Sequence, residues 1–158
     1  MASDAGYKIP LAITRAVDYA HSKGVVLRDV KPANGLISAD VSLKLVNFRL
    51  VYIVTNEAIT ATRVTLGAYG CMPPKQATGS PDEVGVETNI YTIGTVLYTM
   101  VTGRPSLRDR NVVNLLISVR QQLPVPPGRL TPEIDQDIET TCLKCLEKSP
   151  ADRFESAG

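Results

Sequence analysis

Apolar residues recur at helical spacing in several stretches of the chain. Residues 11–21 place apolar side chains three and four positions apart, and Gly24 follows where a helix would end. The same spacing runs through residues 86–103, closed by Gly103, and returns over residues 111–120. The pattern predicts a helix in each of these three stretches.

The C-terminal part of the chain begins with an irregular segment. Residues 123–132 hold four of the eleven prolines, which excludes regular structure there. A last helix is predicted over residues 131–146. Thr131 can cap it, Pro132 fits its first turn, and Glu133 favours the positive end of its dipole.

Strand-like patterns are few and short. Residues 35–38 and 42–46 are two short runs around Ala39 and Asp40, which predicts a small hairpin. Residues 51–81 show weak periodicity and many Thr, Gly and Pro residues, which predicts a loop. A loop of about thirty residues is longer than compact domains usually tolerate unless it is functional. The chain is predicted to be mainly α-helical with one hairpin.

Composition and charge narrow the class of protein only a little. The 158 residues suit one domain, and 44% hydrophobic with 21% charged residues is ordinary for a globular protein. The formal charge of +1 provides no field that favours nucleic acid or an anionic membrane, so no nucleic-acid partner is expected. Residues 1–10 do not resemble a signal peptide, and residues 90–101 are too short to span a bilayer. With only three cysteines, the chain is expected to be cytoplasmic.

One segment carries a recognisable catalytic pattern. The run Leu-Arg-Asp-Val-Lys-Pro-Ala-Asn at residues 27–34 resembles the catalytic loop of protein kinases, H-R-D-L-x-x-x-N, at every chemical position except the first. The resemblance implies that Asp29 accepts the proton of the attacking hydroxyl and that Asn34 holds a metal ion on the phosphates. Lys31 would contact the transferring phosphate, as in Ser/Thr kinases. Arg28 would pair with a phosphate on the activation loop.

The wider sequence is similar to the eukaryotic-like Ser/Thr kinases of bacteria. That resemblance implies a helical large lobe with a small β-hairpin beside the catalytic loop, over residues 11–158, after an N-terminal tail at residues 1–10. The small lobe, with its Gly-rich loop and strand lysine, is expected to be absent. ATP and Mg²⁺ are the implied cofactors, with Lys31, Asn34 and Asn47 on the nucleotide and its metal. The blocks that carry the resemblance are residues 16–34, 43–50, 67–79, 87–107 and 138–157.

Three departures from the family pattern affect the nucleotide and the catalytic loop. Asn47 stands where the family has the metal-binding aspartate of D-F-G, so a neutral amide replaces a charged ligand. Arg49 replaces the glycine of that motif, which permits backbone angles that arginine disfavours. Ala68 occupies the position of a threonine that would link the catalytic aspartate and lysine.

Three further departures concern packing and charge pairing. Leu27 replaces the histidine of the catalytic loop but preserves apolar packing. Lys75 replaces the glutamate of A-P-E, so it is expected to face Arg153 and turn an attraction into a repulsion. Asn89 replaces an aspartate that fixes the catalytic-loop backbone in the family.

These departures lead to competing hypotheses of function. The first is a pseudokinase-like chain, silent by itself, that acts through a protein partner. The second is a segment of an active Ser/Thr kinase that transfers the ATP γ-phosphate to a protein substrate once a small lobe completes it. The third is a decayed or truncated product with no selected function. Phosphoryl transfer depends on positioning and electrostatic stabilisation, and the substitutions remove both, so the chain alone is predicted to be inactive.

Other chemistry-bearing residues have simpler interpretations. Cys142 and Cys145 form C-x-x-C, which could bind zinc, but their place in an apolar helical run favours core packing. His21 ends the first predicted helix, where a structural role is favoured over a catalytic one. Four threonines of the long loop could accept a phosphate, although an ordinary polar loop is the favoured interpretation. They are Thr55, Thr60, Thr62 and Thr65.

Overall fold

A computed structural model describes residues 5–24, 35–37, 43–45, 70–78 and 85–157 of the chain. The predicted architecture, mainly helical with one small hairpin, is confirmed over these residues. Three short 3₁₀ turns, at Gln76–Thr78, Pro127–Arg129 and Pro150–Asp152, lie outside the regular elements. Those elements are α1 (Ala5–Ser22), β1 (Gly35–Ile37), β2 (Leu43–Leu45), α2 (Val86–Thr102), α3 (Val112–Gln121) and α4 (Gln136–Cys145).

Helix α1 is longer than its apolar pattern predicts. It begins at Ala5, not at residue 11, and continues through Pro10. The predicted end is confirmed. Gly24 has a φ of 72°, and its N–H donates to the carbonyl of His21 at 2.9 Å.

The predicted hairpin is confirmed. Strands β1 and β2 pair antiparallel, with Gly35 opposite Leu45 and Ile37 opposite Leu43. The turn predicted at Ala39 and Asp40 lies outside the described residues, as do most of residues 51–81.

Helix α2 is the central helix of the described fold. It has the predicted bounds, and Gly103 ends it with a φ of 71° while its N–H donates to the carbonyl of Thr99 at 2.9 Å. Side chains on several sides of this helix are buried, including Ile90, Tyr91 and Val96. A helix that is buried on more than one side must be surrounded by other elements, which here are α1 and α4.

Helix α3 follows its prediction closely, because Asn111 is a good cap. The Oδ1 of Asn111 accepts hydrogen bonds from the backbone N–H of Val113 at 2.8 Å and of Asn114 at 3.3 Å. These bonds satisfy two of the N–H groups that have no partner in the first turn.

The predicted start of α4 is wrong. The helix begins at Gln136 and not at residue 131, and its cap is Asp135, whose side chain accepts from the N–H of Asp137 at 2.8 Å. The Thr131 hydroxyl donates to the carbonyl of Val101 at 3.1 Å, so it ties the linker to the end of α2 and does not cap a helix. The Tyr98 hydroxyl holds the same linker through the carbonyl of Val125 at 2.8 Å.

Two apolar clusters hold α2 against its neighbours, and a third lies beneath α3. Gly94 of α2 makes the closest approach, since a Cβ built there would lie 2.6 Å from the Cβ of Cys145. The first cluster contains Val17, Ile90, Ile93, Val96, Cys145 and Ala157, the second Tyr91, Tyr98, Cys142 and Leu146, and the third Leu107, Leu115 and Val119.

None of the helices in the described ranges combines the length and apolar character that a membrane span requires.

Candidate functional site

The predicted catalytic and metal-binding residues lie outside the described residues. Their roles therefore stay predictions. Two of these residues lie next to the hairpin in the sequence. Its paired end residues are Gly35, which directly follows Asn34, and Leu45, which precedes Asn47 by two positions. The residues concerned are Arg28, Asp29, Lys31, Asn34 and Asn47.

His21 and Asn89 connect the end of α1 to the first turn of α2. The imidazole Nε2 and the amide Oδ1 lie 2.8 Å apart, and Asn89 is only 1% exposed. Because an amide oxygen only accepts, His21 Nε2 donates this hydrogen bond. His21 Nδ1 is buried and has no hydrogen-bond partner within the described residues. The contact gives His21 the structural role that its position in the sequence predicts.

The position of Asn89 bears directly on the predicted catalytic loop. The loop at residues 27–34 begins three residues after Gly24, where α1 and its cap end. The hydrogen bond therefore fixes the last turn of the helix that leads into the loop. It does so with an uncharged side chain, as the sequence indicates.

Arg153 is buried and is surrounded by backbone oxygen atoms. Its Nε donates to the carbonyl of Glu147 at 2.8 Å, its Nη1 to that of Glu87 at 2.8 Å, and its Nη2 to that of Lys148 at 3.0 Å. The guanidinium carbon lies 5.0 Å from the centre of the Tyr91 ring. Burial lowers the pKa of Arg153, and the nearby Tyr91 and acidic groups partly oppose that shift.

A second cation lies beside Arg153, and sequence analysis missed it. Lys148 donates from Nζ to the carbonyl of Val119 at 2.8 Å, and its Nζ lies 5.6 Å from the centre of the Tyr91 ring. Burial, and next the charge of Arg153, lower the pKa of Lys148 to about 8. The only signal in the sequence is its place five residues before Arg153. The predicted repulsion between Lys75 and Arg153 stays a prediction, with Lys75 half-buried.

Tyr91 lies between these cations and the core. It is 1% exposed, and burial raises the pKa of its phenol to about 12, although the charge of Arg153 acts in the opposite direction. The phenol is therefore neutral at physiological pH. It contributes to the cations through the face of its ring and not through a negative charge.

The C-x-x-C pair packs in the core, as predicted. Cys142 is 0% and Cys145 is 5% exposed, and the Cys142 thiol lies 3.6 Å from the carbonyl of Gly94. Burial raises the pKa of Cys142 to about 12 and that of Cys145 to about 11, so both are protonated thiols at neutral pH. Within the described residues, no group of three or more metal-ligating side chains comes together.

An apolar cleft of about 310 Å³ opens between α1, α2 and α4. Its walls include Ile90, Ile93, Phe154 and Cys145, with the hydroxyl groups of Thr14 and Thr141 also present. Among the described residues of this lining, the protonated thiol of Cys145 is the only titratable group. The part of the cleft that the structure describes therefore offers apolar contacts and no acid or base for catalysis at neutral pH.

The chemistry of the predicted metal ligands fits Mg²⁺ poorly. Mg²⁺ in proteins is bound through carboxylates and phosphates, whereas Asn34 and Asn47 provide two neutral amides. An amide oxygen coordinates the ion but does not neutralise it.

Comparisons with known proteins agree with the helical fold and the sequence blocks. The model of the protein kinase domain matches residues 1–157. A probable serine/threonine-protein kinase of Clostridium acetobutylicum is 33% identical over 145 residues, which is 92% of this chain and 22% of that protein. The serine/threonine-protein kinase PknB of Mycobacterium leprae is 31% identical over 144 residues, or 90% of this chain and 23% of that protein. The serine/threonine-protein kinase PknD of Mycobacterium tuberculosis is 38% identical over 151 residues, which is 92% of this chain and 22% of that protein. The chain thus spans about a fifth of the length of these relatives.

Proposed function

The chain belongs to the protein kinase family, and from that premise we propose that it is a catalytically impaired, pseudokinase-like part of a Ser/Thr kinase that acts through protein contacts. The family uses ATP and Mg²⁺ to phosphorylate proteins, and the relatives are named Ser/Thr kinases. What this chain retains of that activity is decided by its own residues.

The contact of Asn89 with His21 carries the proposal. The fold keeps the link from α1 to α2 but makes it with a neutral amide at 2.8 Å. A charged acceptor typically strengthens a hydrogen bond from about 1 to about 1.5–3 kcal/mol. A neutral acceptor therefore holds His21, at the end of the helix that precedes the predicted catalytic loop, less firmly than the carboxylate of the family pattern would.

The substitutions at the nucleotide site act in the same direction. Asn47 removes the charge of the D-F-G aspartate, and Arg49 removes its glycine. Because phosphoryl transfer relies on electrostatic stabilisation by metal and side chains, these losses reduce turnover even where the fold is intact. ATP and Mg²⁺ binding by this chain is proposed to be weak or absent.

Exposed apolar side chains on and after α3 support a role in protein contacts. Val113 is 62% exposed and Ile117, one helical turn later, is 46% exposed. Leu123 follows the helix and is 68% exposed. Apolar side chains that project from neighbouring turns are typical of surfaces that bind other proteins. A protein partner, met in the cytoplasm, is proposed on these grounds.

The second candidate is an active Ser/Thr kinase of which this chain is one segment. Asp29 would then be the base, Lys31 the phosphate contact, and Asn34 and Asn47 the metal ligands, with Arg28 on an activation-loop phosphate. The match to the catalytic loop at residues 27–34 favours it. Coding sequence upstream with a Gly-rich loop and a lysine-bearing strand would strengthen this candidate.

A thermal melt of the purified chain with and without Mg²⁺ and ATP separates the two candidates. We expect no shift of Tm. A nucleotide at about a hundred times its Kd would add about 2.7 kcal/mol, which for a domain of this size raises Tm by roughly 5–10 °C. A parallel assay follows transfer of labelled phosphate to a generic protein substrate, with Asp29→Ala as its control. A Tm shift together with transfer that Asp29→Ala abolishes would overturn the proposal.

A further inference from the structure

Lys148 and Arg153 are two cations that share one buried aromatic ring. The Nζ of Lys148 lies 5.6 Å and the guanidinium carbon of Arg153 lies 5.0 Å from the centre of the Tyr91 ring. Arg153 also donates to the backbone carbonyl of Lys148 at 3.0 Å, so the two residues are in direct contact. Like charges on one ring, partly removed from water, disfavour each other's charged state, and the charge of Arg153 lowers the pKa of Lys148.

The surroundings of Lys148 do little to offset this repulsion. Within the described residues, its Nζ is hydrogen-bonded to the neutral carbonyl of Val119. The groups of Arg153 likewise donate to backbone carbonyls. Among the described carboxylates, Glu147 favours the charged form of Lys148, and its effect is smaller than the effects of burial and Arg153. Lys148 is the cation that loses its proton first, because a guanidinium cannot lose its proton near neutral pH.

We propose that Lys148 is a nucleophilic lysine and a site of N-acylation by small acyl phosphates. Its contact with Val119 uses an N–H bond of the amine and leaves the nitrogen lone pair available. The neutral amine attacks the acyl carbon, a C–N bond forms, and the C–O bond to phosphate breaks. Phosphate leaves with the electron pair, and the surplus proton on nitrogen passes to water. This inference does not depend on the proposed function.

The product fits the site better than the ammonium it replaces. An acylated lysine keeps one N–H, which is sufficient for the hydrogen bond to Val119. It carries no charge, so the repulsion with Arg153 ends. Half-burial of Lys148 restricts the reaction to small donors. The protonation equilibrium also favours the reaction. Burial and Arg153 lower the pKa of Lys148 to about 8, so a larger fraction of this lysine is the neutral, nucleophilic amine.

Lys144 provides an internal comparison. It is exposed, lies four residues before Lys148, and its Nζ is 4.6 Å from the centre of the Phe154 ring. It therefore also contacts an aromatic ring, but it has no second cation on that ring within the described residues. A difference in reactivity between the two lysines would then reflect Arg153 and burial.

The test treats the full chain with acetyl phosphate for limited times at several pH values, and peptide mass spectrometry quantifies acetylation at each lysine. An amine with a pKa of about 8 is about a quarter neutral at pH 7.5, against about 0.1% for an ordinary lysine with a pKa of about 10.4. Partial burial reduces this advantage. We expect Lys148 to be acetylated about ten times faster than Lys144 at pH 7.5, with its rate levelling off above about pH 9.

Glu147→Gln is the matched variant, because it removes the carboxylate but keeps the backbone carbonyl that Arg153 uses. It is expected to raise the acetylation rate of Lys148 about two-fold at pH 7.5 and to leave Lys144 unchanged. Equal or slower acetylation of Lys148 relative to Lys144 in the original chain would overturn the proposal. So would a Glu147→Gln variant in which Lys148 reacts more slowly or at the same rate.

Discussion

At the scale of single residues, Asn89 has an influence that its small side chain does not suggest. It is 1% exposed, and its Oδ1 accepts from His21, which lies 68 positions earlier in the chain. A buried donor that loses its acceptor costs about 1–3 kcal/mol, which is more than the net gain from making the bond. The stability of the link therefore depends on an acceptor being present at position 89.

Replacing Asn89 by leucine tests this dependence. Leucine has a similar volume but accepts no hydrogen bond, so the Nε2–H of His21 would be buried without a partner. We expect Asn89→Leu to lower the free energy of unfolding by about 1–3 kcal/mol in urea titrations at pH 8. Asn114→Leu is the control, because Asn114 lies on the exposed side of α3. Similar losses in the two variants would contradict the role assigned to Asn89.

At the scale of elements, the contact between α2 and α4 depends on the lack of a side chain at Gly94. A Cβ there would lie 2.6 Å from the Cβ of Cys145 and 3.1 Å from the Cγ of Leu146. The Cys145 Cβ is fixed to the backbone of α4, so it cannot move aside as the end of a flexible side chain would. The two helices would have to separate, and apolar contacts of both clusters on α2 would loosen.

Gly94→Ala is therefore expected to destabilise the chain by about 1–3 kcal/mol, measured as a change in the free energy of unfolding. The sign is informative, because glycine to alanine in a helix interior ordinarily stabilises by about 1 kcal/mol through propensity. A variant more stable than the original chain would mean that α2 and α4 are less closely packed than the distances indicate.

Helix boundaries show what local sequence can and cannot determine. The start of α3 was predicted within one residue, because Asn111 caps the helix with its own side chain. The start of α4 was not, because Thr131 and Asp135 are both competent caps and local sequence does not distinguish them. The choice depends on a partner thirty residues away, the carbonyl of Val101, which accepts the Thr131 hydroxyl.

At the scale of the whole molecule, two buried thiols, two phenols and the half-buried amine of Lys148 determine how stability responds to alkaline pH. The pKa of Cys142 is raised to about 12, that of Cys145 to about 11 and that of Tyr91 to about 12, and the pKa of Tyr98 is also raised, while that of Lys148 is lowered to about 8. At about pH 9.5 the native chain therefore retains two thiol protons that the unfolded chain releases, and it lacks one lysine proton that the unfolded chain keeps, so on balance it binds about one proton more. Above about pH 10 it also retains phenol protons that the unfolded chain releases.

The unfolding free energy is thus expected to fall by about 1.4 kcal/mol per pH unit at about pH 9.5, and more steeply above about pH 10. The stabilising effect of the thiols is complete below their unfolded pKa and is lost as pH rises toward their native values. The lowered pKa of Lys148 destabilises the native state below about pH 8, and this penalty disappears as pH rises through the pKa of the unfolded lysine. Guanidinium titrations at several pH values measure the slope. In the double variant Cys142→Ala with Cys145→Ala, the slope is expected to become positive between about pH 9 and 9.5, where Lys148 dominates and the phenols are still largely protonated in both states. A flat profile in both proteins would contradict these assignments.

The sequence predicted the family, the central helix and the hairpin because each depends on local patterns. The extent of α2 follows from its apolar residues and from Gly103, and β1 and β2 follow from two short runs. The contact between Lys148, Tyr91 and Arg153 was not predictable in this way. It joins α2 to the segment after α4, and no local spacing relates position 91 to position 148.

Arg153 also has a consequence for how this chain tolerates mutation. Its three acceptors are main-chain carbonyls of Glu87, Glu147 and Lys148, and every amino acid carries a main-chain carbonyl. Those three positions are thus free to accumulate substitutions without breaking the network, whereas position 153 itself has no adequate substitute. The position of Arg153 is therefore expected to tolerate changes of the side chains around it, because its hydrogen bonds depend on the course of the main chain.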